Sequence, residues 1–173
     1  MTGFYDRLHR QVKGGKAPPV SEWSPQLSGD IDIVIDANGN WFHEGSKIQR
    51  AALVALFAKI LRREHDGEYY LVTPVEKWRI RVEGHALIVD TITHDANAAQ
   101  PVWIAEANNG LSYPISEHYP LRLDERGQGA YMGLPNGLTA RLSRNAWYHL
   151  CDSAYEFNGS VVVESAGTVF RLS

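Results

Sequence analysis

The chain has 173 residues, of which 44% are hydrophobic and 21% charged, the composition of a globular protein that can bury a core. Its net charge of -3 at pH 7 argues against nucleic acid as a partner, because nonspecific DNA or RNA binding needs a basic surface. A single cysteine excludes an internal disulfide. There is no signal-peptide pattern and no apolar run long enough to span a bilayer, so we expect a cytoplasmic protein without membrane contact.

The first 27 residues are predicted to form a short helix and an extended arm. Phe4, Leu8 and Val12 are spaced four apart, which indicates an amphipathic helix over residues 3–13. Residues 18–29, called the arm below, contain three prolines and are predicted to lie over the next segment with Trp23 as the anchor.

The next segment begins with a hairpin. Ile31, Ile33 and Ile35 alternate with polar or smaller side chains, which is typical of a strand with one apolar face. Asn38-Gly39 then separates this strand from Trp41, and this dipeptide is a strong signal for a tight hairpin turn.

Two stretches carry the same apolar spacing. Residues 48–61 and 142–155 lie 94 positions apart and both have apolar side chains at i, i+4, i+5, i+8 and i+9. This spacing predicts amphipathic helices at about 48–64 and 143–156. The side chains expected to be buried are Leu53, Leu56, Phe57 and Ile60 in the first helix, and Trp147, Leu150 and Cys151 in the second.

The remaining segments read as strands separated by turns rather than as regular strand–helix alternation. Strands are predicted at residues 68–73, 75–83, 86–94, 138–142, 160–165 and 168–172, with a meander over 101–124. The predicted fold class is α+β with mostly antiparallel sheets. The repeated helix predicts two similar domains from an internal duplication, at 28–83 and 84–173, each with one long helix on a sheet.

No catalytic or metal-binding motif is present in the sequence. There is no nucleophile elbow, phosphate-binding loop or dinucleotide fingerprint, and the seven histidines form no ligand-like pair. Asp30, Asp32 and Asp36 favour a solvated strand face over a cation site. Cys151 is interpreted as a core residue. We therefore predict no catalytic residues, no metal and no cofactor.

One strand carries a row of cations. Lys77, Arg79 and Arg81 alternate with apolar residues and should point to the same face. Two interpretations stay open: an exposed strand face neutralised by nearby acids, or a site for an anion such as phosphate, which arginine and lysine bind well.

Residues 18–84 resemble a bacterial family, the domain of unknown function 1285 family. The resemblance rests on the motifs Pro18-Pro19-Val20, Gly29-Asp30-Ile31-Asp32, Trp41-Phe42 and the run from Tyr69 to Lys77. It implies two structurally similar domains, the C-terminal one loosely like a pleckstrin-homology fold. It also implies a small nucleotide-like ligand bound at the domain interface, and a role in signal transduction or a stress response.

We expect the ligand site near the bend at residues 73–77, where a proline interrupts the strand pairing. The predicted site residues supply hydrogen bonds, positive charge and stacking surfaces; they are Trp41, His43, Arg50, Thr73, Pro74, Glu76, Lys77, Arg79 and Tyr113. The alternative is that Glu76 and Lys77 form ion pairs that join the two domains. The predicted function is non-catalytic binding of a small ligand, with a protein-interaction adaptor and an enzyme of an unrecognised type as alternatives.

Overall fold

The computed structural model describes residues 17–173, so the helix predicted at residues 3–13 lies outside the described part of the chain. The chain divides into two compact units. Among the described residues, the first comprises 17–86 together with 136–138, and the second comprises 87–135 and 139–173. Two α-helices and three sheets are present in the described residues, and the fold class is α+β as predicted.

The first unit contains a six-stranded sheet. Its strands are β1 (Leu27–Ile35), β2 (Trp41–His43), β3 (Ser46–Lys47), β4 (Leu61–Arg63), β5 (Tyr69–Val72) and β6 (Lys77–Val82). They are arranged in the order β3-β2-β1-β6-β5-β4. The β1–β6 pair is parallel and the other pairs are antiparallel. The largest fully buried side chains of this unit are Trp41, Phe57, Ile33, Ile35, Ile60, Leu61, Leu71 and Ile80.

The helix of the first unit, α1 (Ala51–Lys59), is shorter than predicted. Ile60 leaves the helical conformation with φ -107° and ψ 9°, and Leu61 pairs with Leu71 in the sheet instead. The apolar spacing does not distinguish a helix that continues through residues 60 and 61 from a strand that begins there, because either structure can bury Ile60 and Leu61. Phe57 and Ile60 are buried as predicted, whereas Leu53 and Leu56 are only half-buried, so the prediction for those two was wrong.

The second unit contains a six-stranded sheet, a helix and a small third sheet. The first of these sheets consists of β7 (Leu87–Asp95), β8 (Val102–Ala107), β9 (Ser112–Pro114), β10 (Leu121–Leu123), β11 (Ala130–Gly133) and β12 (Thr139–Leu142). Helix α2 (Arg144–Asp152) follows. Its N-cap is Ser143, whose hydroxyl accepts a hydrogen bond from the Ala146 amide. An antiparallel meander of β13 (Tyr155–Phe157), β14 (Ser160–Ser165) and β15 (Thr168–Arg171) ends the chain.

Helix α2 buries most of the face predicted for it. Trp147 and Leu150 are buried, but Cys151 is half-buried and so is not the fully enclosed core residue that was predicted. Burial still raises the pKa of the Cys151 thiol, with the negative charge of Asp152 adding to the effect. A raised pKa disfavours the reactive thiolate.

The two six-stranded sheets share one strand order. The second sheet reads β9-β8-β7-β12-β11-β10, with β7 and β12 parallel, which matches the order of the first sheet strand for strand. The helices do not match. Along the chain, α1 lies between β3 and β4, whereas α2 follows β12, the last strand of its sheet. The strand orders therefore do not support the 94-residue offset that the helical spacing suggested.

Candidate functional site

The arm is docked on the first unit. Val20 is 1% exposed and packs with Tyr70 and Val72, and Trp23 packs against this cluster while half-buried. The docking of the arm was predicted correctly. Its most deeply buried residue, however, is Val20 rather than Trp23, because Val20 lies in a short 3-10 turn that points it at the sheet.

Arg62 on β4 holds the arm in place. One of its terminal nitrogens, Nη1, donates to the carbonyl oxygens of Val20 at 3.0 Å and Trp23 at 2.7 Å. Its other terminal nitrogen pairs with Glu64. The side chain is 15% exposed, so these charge-assisted hydrogen bonds are largely shielded from water.

Glu64 links Arg62 to the cationic strand. Its carboxylate accepts two hydrogen bonds from the ammonium of Lys77, at 3.2 and 3.1 Å. The same ammonium lies 4.7 Å from the ring centroid of Tyr70, a cation–π contact. The Tyr70 hydroxyl in turn donates to Asp66 at 2.7 Å. Lys77 therefore forms an ion pair, but with Glu64 inside the first unit.

These contacts set the protonation states of the group. Burial works to raise the pKa of Glu64, but hydrogen bonds and charges from Arg62 and Lys77 outweigh it and the net pKa is lowered. The hydrogen bond from Tyr70, with one from the backbone of Glu68, lowers the pKa of Asp66. The hydrogen bond to Asp66, with burial, raises the pKa of Tyr70 to about 12. At neutral pH both carboxylates are charged acceptors.

The raised pKa of Tyr70 predicts a loss of stability at alkaline pH. The fold favours the neutral phenol, so its contribution to the free energy of unfolding is complete below pH 10, the ordinary pKa, and is lost as the pH rises to about 12. Tyr70→Phe should lack this component when unfolding by urea is measured across that window. Tyr148→Phe, at an exposed tyrosine, is the control and should follow the wild type. Parallel curves for all three proteins would contradict the assignment.

The remaining cations of β6 are also neutralised. Arg79 forms a bidentate pair with Asp30, with both nitrogen–oxygen distances 2.9 Å, and Arg81 pairs with Asp32 at 3.0 Å. Because β1 and β6 are parallel neighbours, the acidic and basic rows lie side by side. Of the two interpretations of this strand, the structure supports the neutralised face.

In the bend between β5 and β6, three backbone amides are hydrogen-bonded to groups of the bend itself. The Thr73 hydroxyl accepts hydrogen bonds from the amides of Val75 and Glu76, at 3.3 and 3.0 Å, and the Thr73 amide donates to the Glu76 carbonyl at 2.8 Å. Thr73 is buried, while Pro74 is exposed. Although Pro74 interrupts the strand pairing, the amides of Val75 and Glu76 are therefore bound by the threonine hydroxyl rather than open to a ligand.

The other predicted site residues belong to other elements of the fold. Trp41 is 1% exposed and stacks on Phe57 at 5.9 Å, so it is a core residue without an open ring face. His43 is mostly buried on β2, which β1 separates from β6. Arg50 is exposed at the start of α1. Tyr113 belongs to the second unit, where it is buried and its hydroxyl accepts from the Asn109 amide at 2.9 Å.

A polar cleft of about 860 Å³ opens beside the arm, and all of its walls belong to the first unit. This arm cleft is lined by Ser21, Ser24, Arg62, Arg63, Glu64, His65, Asp66, Gly67, Asn136 and Gly137. Its volume lies in the range of small-molecule sites. One wall comes from the arm and another from the turn after β4.

Arg63 is an arginine of the cleft that forms no ion pair with the described residues. Its guanidinium lies 5.3 Å from the ring centroid of Tyr69, and its Nε donates to the Gly67 carbonyl at 3.2 Å. These two contacts orient the group. Within residues 17–173 no carboxylate lies within ion-pair distance of Arg63. The cleft is therefore lined by an oriented guanidinium that has no carboxylate partner among these residues.

The floor of the cleft depends on a glycine. Gly137 has φ +71°, and a Cβ there would lie 2.7 Å from the carbonyl oxygen of Arg63. The Arg63 amide donates to the neighbouring Asn136 carbonyl at 2.9 Å, which fixes this approach. Only glycine satisfies both the positive φ and the close contact.

Gly137→Ala should therefore lower the free energy of unfolding by more than Gly159→Ala. Gly159 has φ +76° but no atom within 4 Å of its would-be Cβ, so that substitution incurs only the backbone strain, roughly 1–2 kcal/mol. Gly137→Ala adds a backbone clash to the same strain. Chemical denaturation of the two variants measures the difference, and equal losses would show that the contact with Arg63 relaxes freely.

Most residues of the cleft were missed from the sequence. Arg62, Arg63 and Glu64 were placed on a helix, and Asn136 and Gly137 precede the strand predicted at 138–142 and were not considered for the site. One signal for the cleft was available in the sequence. Residues Arg62–Asp66, directly before Gly67, contain more charged side chains than the end of a helix needs.

Comparisons with known proteins identify the family. Residues 18–85 match the model described as the N-terminal domain of DUF1285, a domain of unknown function. A crystal structure of a DUF1285 family protein from Silicibacter pomeroyi DSS-3 matches with a TM-score of 0.82 and 32% identity, over 94% of this chain and 90% of that one. A second, from Shewanella baltica OS155, matches with a TM-score of 0.57 and 29% identity, over 69% of this chain and 90% of that one.

The chain belongs to the DUF1285 family, as its motifs indicated. No curated protein matches it. No helix in residues 17–173 has the length and hydropathy to cross a membrane.

Proposed function

We propose that this protein binds a small anionic, nucleotide-like ligand in the arm cleft without transforming it. The observation that carries the proposal is the state of Arg63, which is oriented by Tyr69 and Gly67 yet has no carboxylate partner among the described residues. A planar guanidinium that is held in place with open donors suits bidentate contact with phosphate or carboxylate oxygens.

The other polar groups of the cleft favour the same class of ligand. Glu64 and Asp66 already accept hydrogen bonds from Arg62, Lys77 and Tyr70, which reduces their capacity to receive a cation. Ser21 and Ser24 bring hydroxyl groups from the arm, and Asn136 brings an amide. These neutral donors complement the charge of Arg63 around an anion.

The lowered pKa values of Glu64 and Asp66 favour binding over catalysis as the function of the cleft. A general acid or base works best with a pKa near the operating pH, whereas the pKa values of Glu64 and Asp66 are both lowered. Binding without turnover suits a sensor in signal transduction or a stress response, and the ligand should be recovered unchanged after incubation.

A thermal-shift panel tests the proposal. Inorganic pyrophosphate and nucleoside mono- and diphosphates should raise the melting temperature of the full chain, because a ligand that binds only the folded state stabilises it by RT ln(1 + [L]/Kd). Uncharged nucleosides at the same concentration control for the base alone. If no member of the panel raises the melting temperature, a phosphate-bearing ligand is ruled out.

We also infer that the chain arose by internal duplication, with a repeat other than the one suggested by the helices. The equal strand orders support a six-stranded repeat in which β1, beginning at Leu27, corresponds to β7, beginning at Leu87, an offset of 60 residues. A helix directly after the sixth strand of the second sheet supports the loose likeness to a pleckstrin-homology fold. Superposing β1–β6 on β7–β12 tests this, and opposite handedness of the two sheets would contradict it.

A further inference from the structure

A second, smaller pocket lies wholly in the second unit, apart from the proposed anion site. It has a volume of about 280 Å³ and is bounded by the end of the β7–β8 pair and by the C-terminal sheet. Its lining residues include His94, Trp103, Tyr155, Val163 and Glu164. We call it the aromatic pocket.

The aromatic wall of this pocket is held firmly. His94 and Trp103 are directly paired across β7 and β8, and their rings lie 4.6 Å apart. His149 contacts the indole edge-on, with the ring centroids 5.5 Å apart. The Trp103 amide donates to the buried Ser165 hydroxyl at 2.8 Å, and that hydroxyl donates to the Ile115 carbonyl at 2.6 Å. The pocket is therefore formed before any ligand arrives.

The charge of the pocket is uncompensated. Tyr155 lies opposite Val162, and Glu164 lies two residues further along the same strand, so both side chains share one face of the C-terminal sheet. No lysine or arginine lines the pocket, and in the part of the chain that the structure describes no cation lies within ion-pair distance of Glu164. A free carboxylate thus stands beside an exposed tyrosine ring.

We propose that the aromatic pocket binds one cationic group, an alkylammonium or a guanidinium. A carboxylate supplies the counter-charge, and an electron-rich ring face attracts a cation placed over it. Tyr155 offers that ring face, and Glu164 lies on the same face of the C-terminal sheet. The volume lies just below the usual range for drug-sized ligands, which fits a single amine or one basic side chain. The proposal is independent of the anion site, since the two share no residue.

The test is a titration of the full chain with n-butylammonium chloride at fixed ionic strength. Binding is followed through the indole N–H resonance of Trp103, which is assigned with Trp103→Phe. The ammonium should shift this resonance in a saturable way, whereas n-butanol, of the same shape without charge, should bind at least about tenfold more weakly. Equal affinity for the alcohol, or no shift with the ammonium, would overturn the proposal.

Matched variants locate the charge. Glu164→Gln should weaken ammonium binding by about tenfold, the size expected when a close counter-charge is lost from a half-enclosed site. Glu156→Gln makes the same change on the opposite face of the same sheet, since Glu156 is paired with Val161, and should leave affinity unchanged. Equal weakening by both variants would mean that only the net charge matters, and the site assignment would fall.

A third ligand distinguishes the two sources of the cation. N-acetyl-lysine N-methylamide carries the same butylammonium group on a peptide backbone. Tighter binding than n-butylammonium identifies a basic side chain of a protein as the occupant, and equal or weaker binding identifies a free amine. The neutral analogue with an acetylated side chain should not bind, and saturable binding of that analogue would contradict a cation site.

Discussion

Phe57→Ala is expected to lower the free energy of unfolding of the first unit by about 3–5 kcal/mol, the usual loss for a fully buried phenylalanine. Phe57 is 0% exposed and is the side chain of α1 that stacks on Trp41. Truncation removes the apolar contacts and leaves a cavity between the helix and the sheet, and both effects destabilise the fold.

Urea denaturation followed by tryptophan fluorescence measures this loss. Phe157→Ala is the matched control, because it makes the same substitution at a side chain that is 51% exposed, and it should cost less than about 1 kcal/mol. If the two variants lose the same free energy, α1 does not pack on the sheet through Phe57.

Arg62→Met is expected to cost about 2–3 kcal/mol and to release the arm, the second-largest effect. Methionine keeps much of the aliphatic volume but removes the donors to the carbonyl oxygens of Val20 and Trp23. It also leaves Glu64 with Lys77 as its remaining cationic partner among the described contacts. A hydrogen bond to a charged group contributes about 1.5–3 kcal/mol, and the two bonds lost here share one nitrogen, which sets the magnitude.

Limited proteolysis reports on the arm separately from global unfolding. Cleavage within residues 18–29 should become faster in Arg62→Met at a temperature where the rest of the fold is intact. Arg81→Met removes an arginine that is 74% exposed in its ion pair with Asp32, and should cost roughly 0–1 kcal/mol without exposing the arm. An unchanged cleavage rate in Arg62→Met would show that the apolar contact of Val20 suffices to hold the arm.

Local patterns allowed the strands to be predicted well. The alternation of Ile31, Ile33 and Ile35 and the turn at Asn38-Gly39 depend on neighbours in sequence, so β1 and β2 were found where they were expected. The end of α1 was misplaced because Leu61 is buried equally well by a helix or by a strand, and its pairing with Leu71 decides the outcome. The pairing also depends on the turn between β4 and β5, and apolar spacing does not predict whether such a turn forms.

The candidate site was harder to predict than the fold, because the cations of β6 that drew attention to the wrong place are paired with residues far away in sequence. Arg79 and Asp30 are 49 residues apart and meet only because β1 and β6 are parallel neighbours. A row of cations on one strand therefore resembled an anion site until its acidic partner row was placed. Arg63, the cation that stays open, stood in a segment assigned to the helix, where nothing distinguished it from Arg62.

The most direct test of the anion site is a calorimetric titration of Arg63→Gln with the phosphate compound that gives the largest thermal shift. Glutamine keeps a polar side chain at an exposed position, so the variant should stay folded while its affinity falls about tenfold or more. Arg81→Gln removes the same charge from the same unit outside the cleft, and should bind as the wild type does. Wild-type affinity in Arg63→Gln, or an equal loss in both variants, would contradict a specific anion site in the arm cleft.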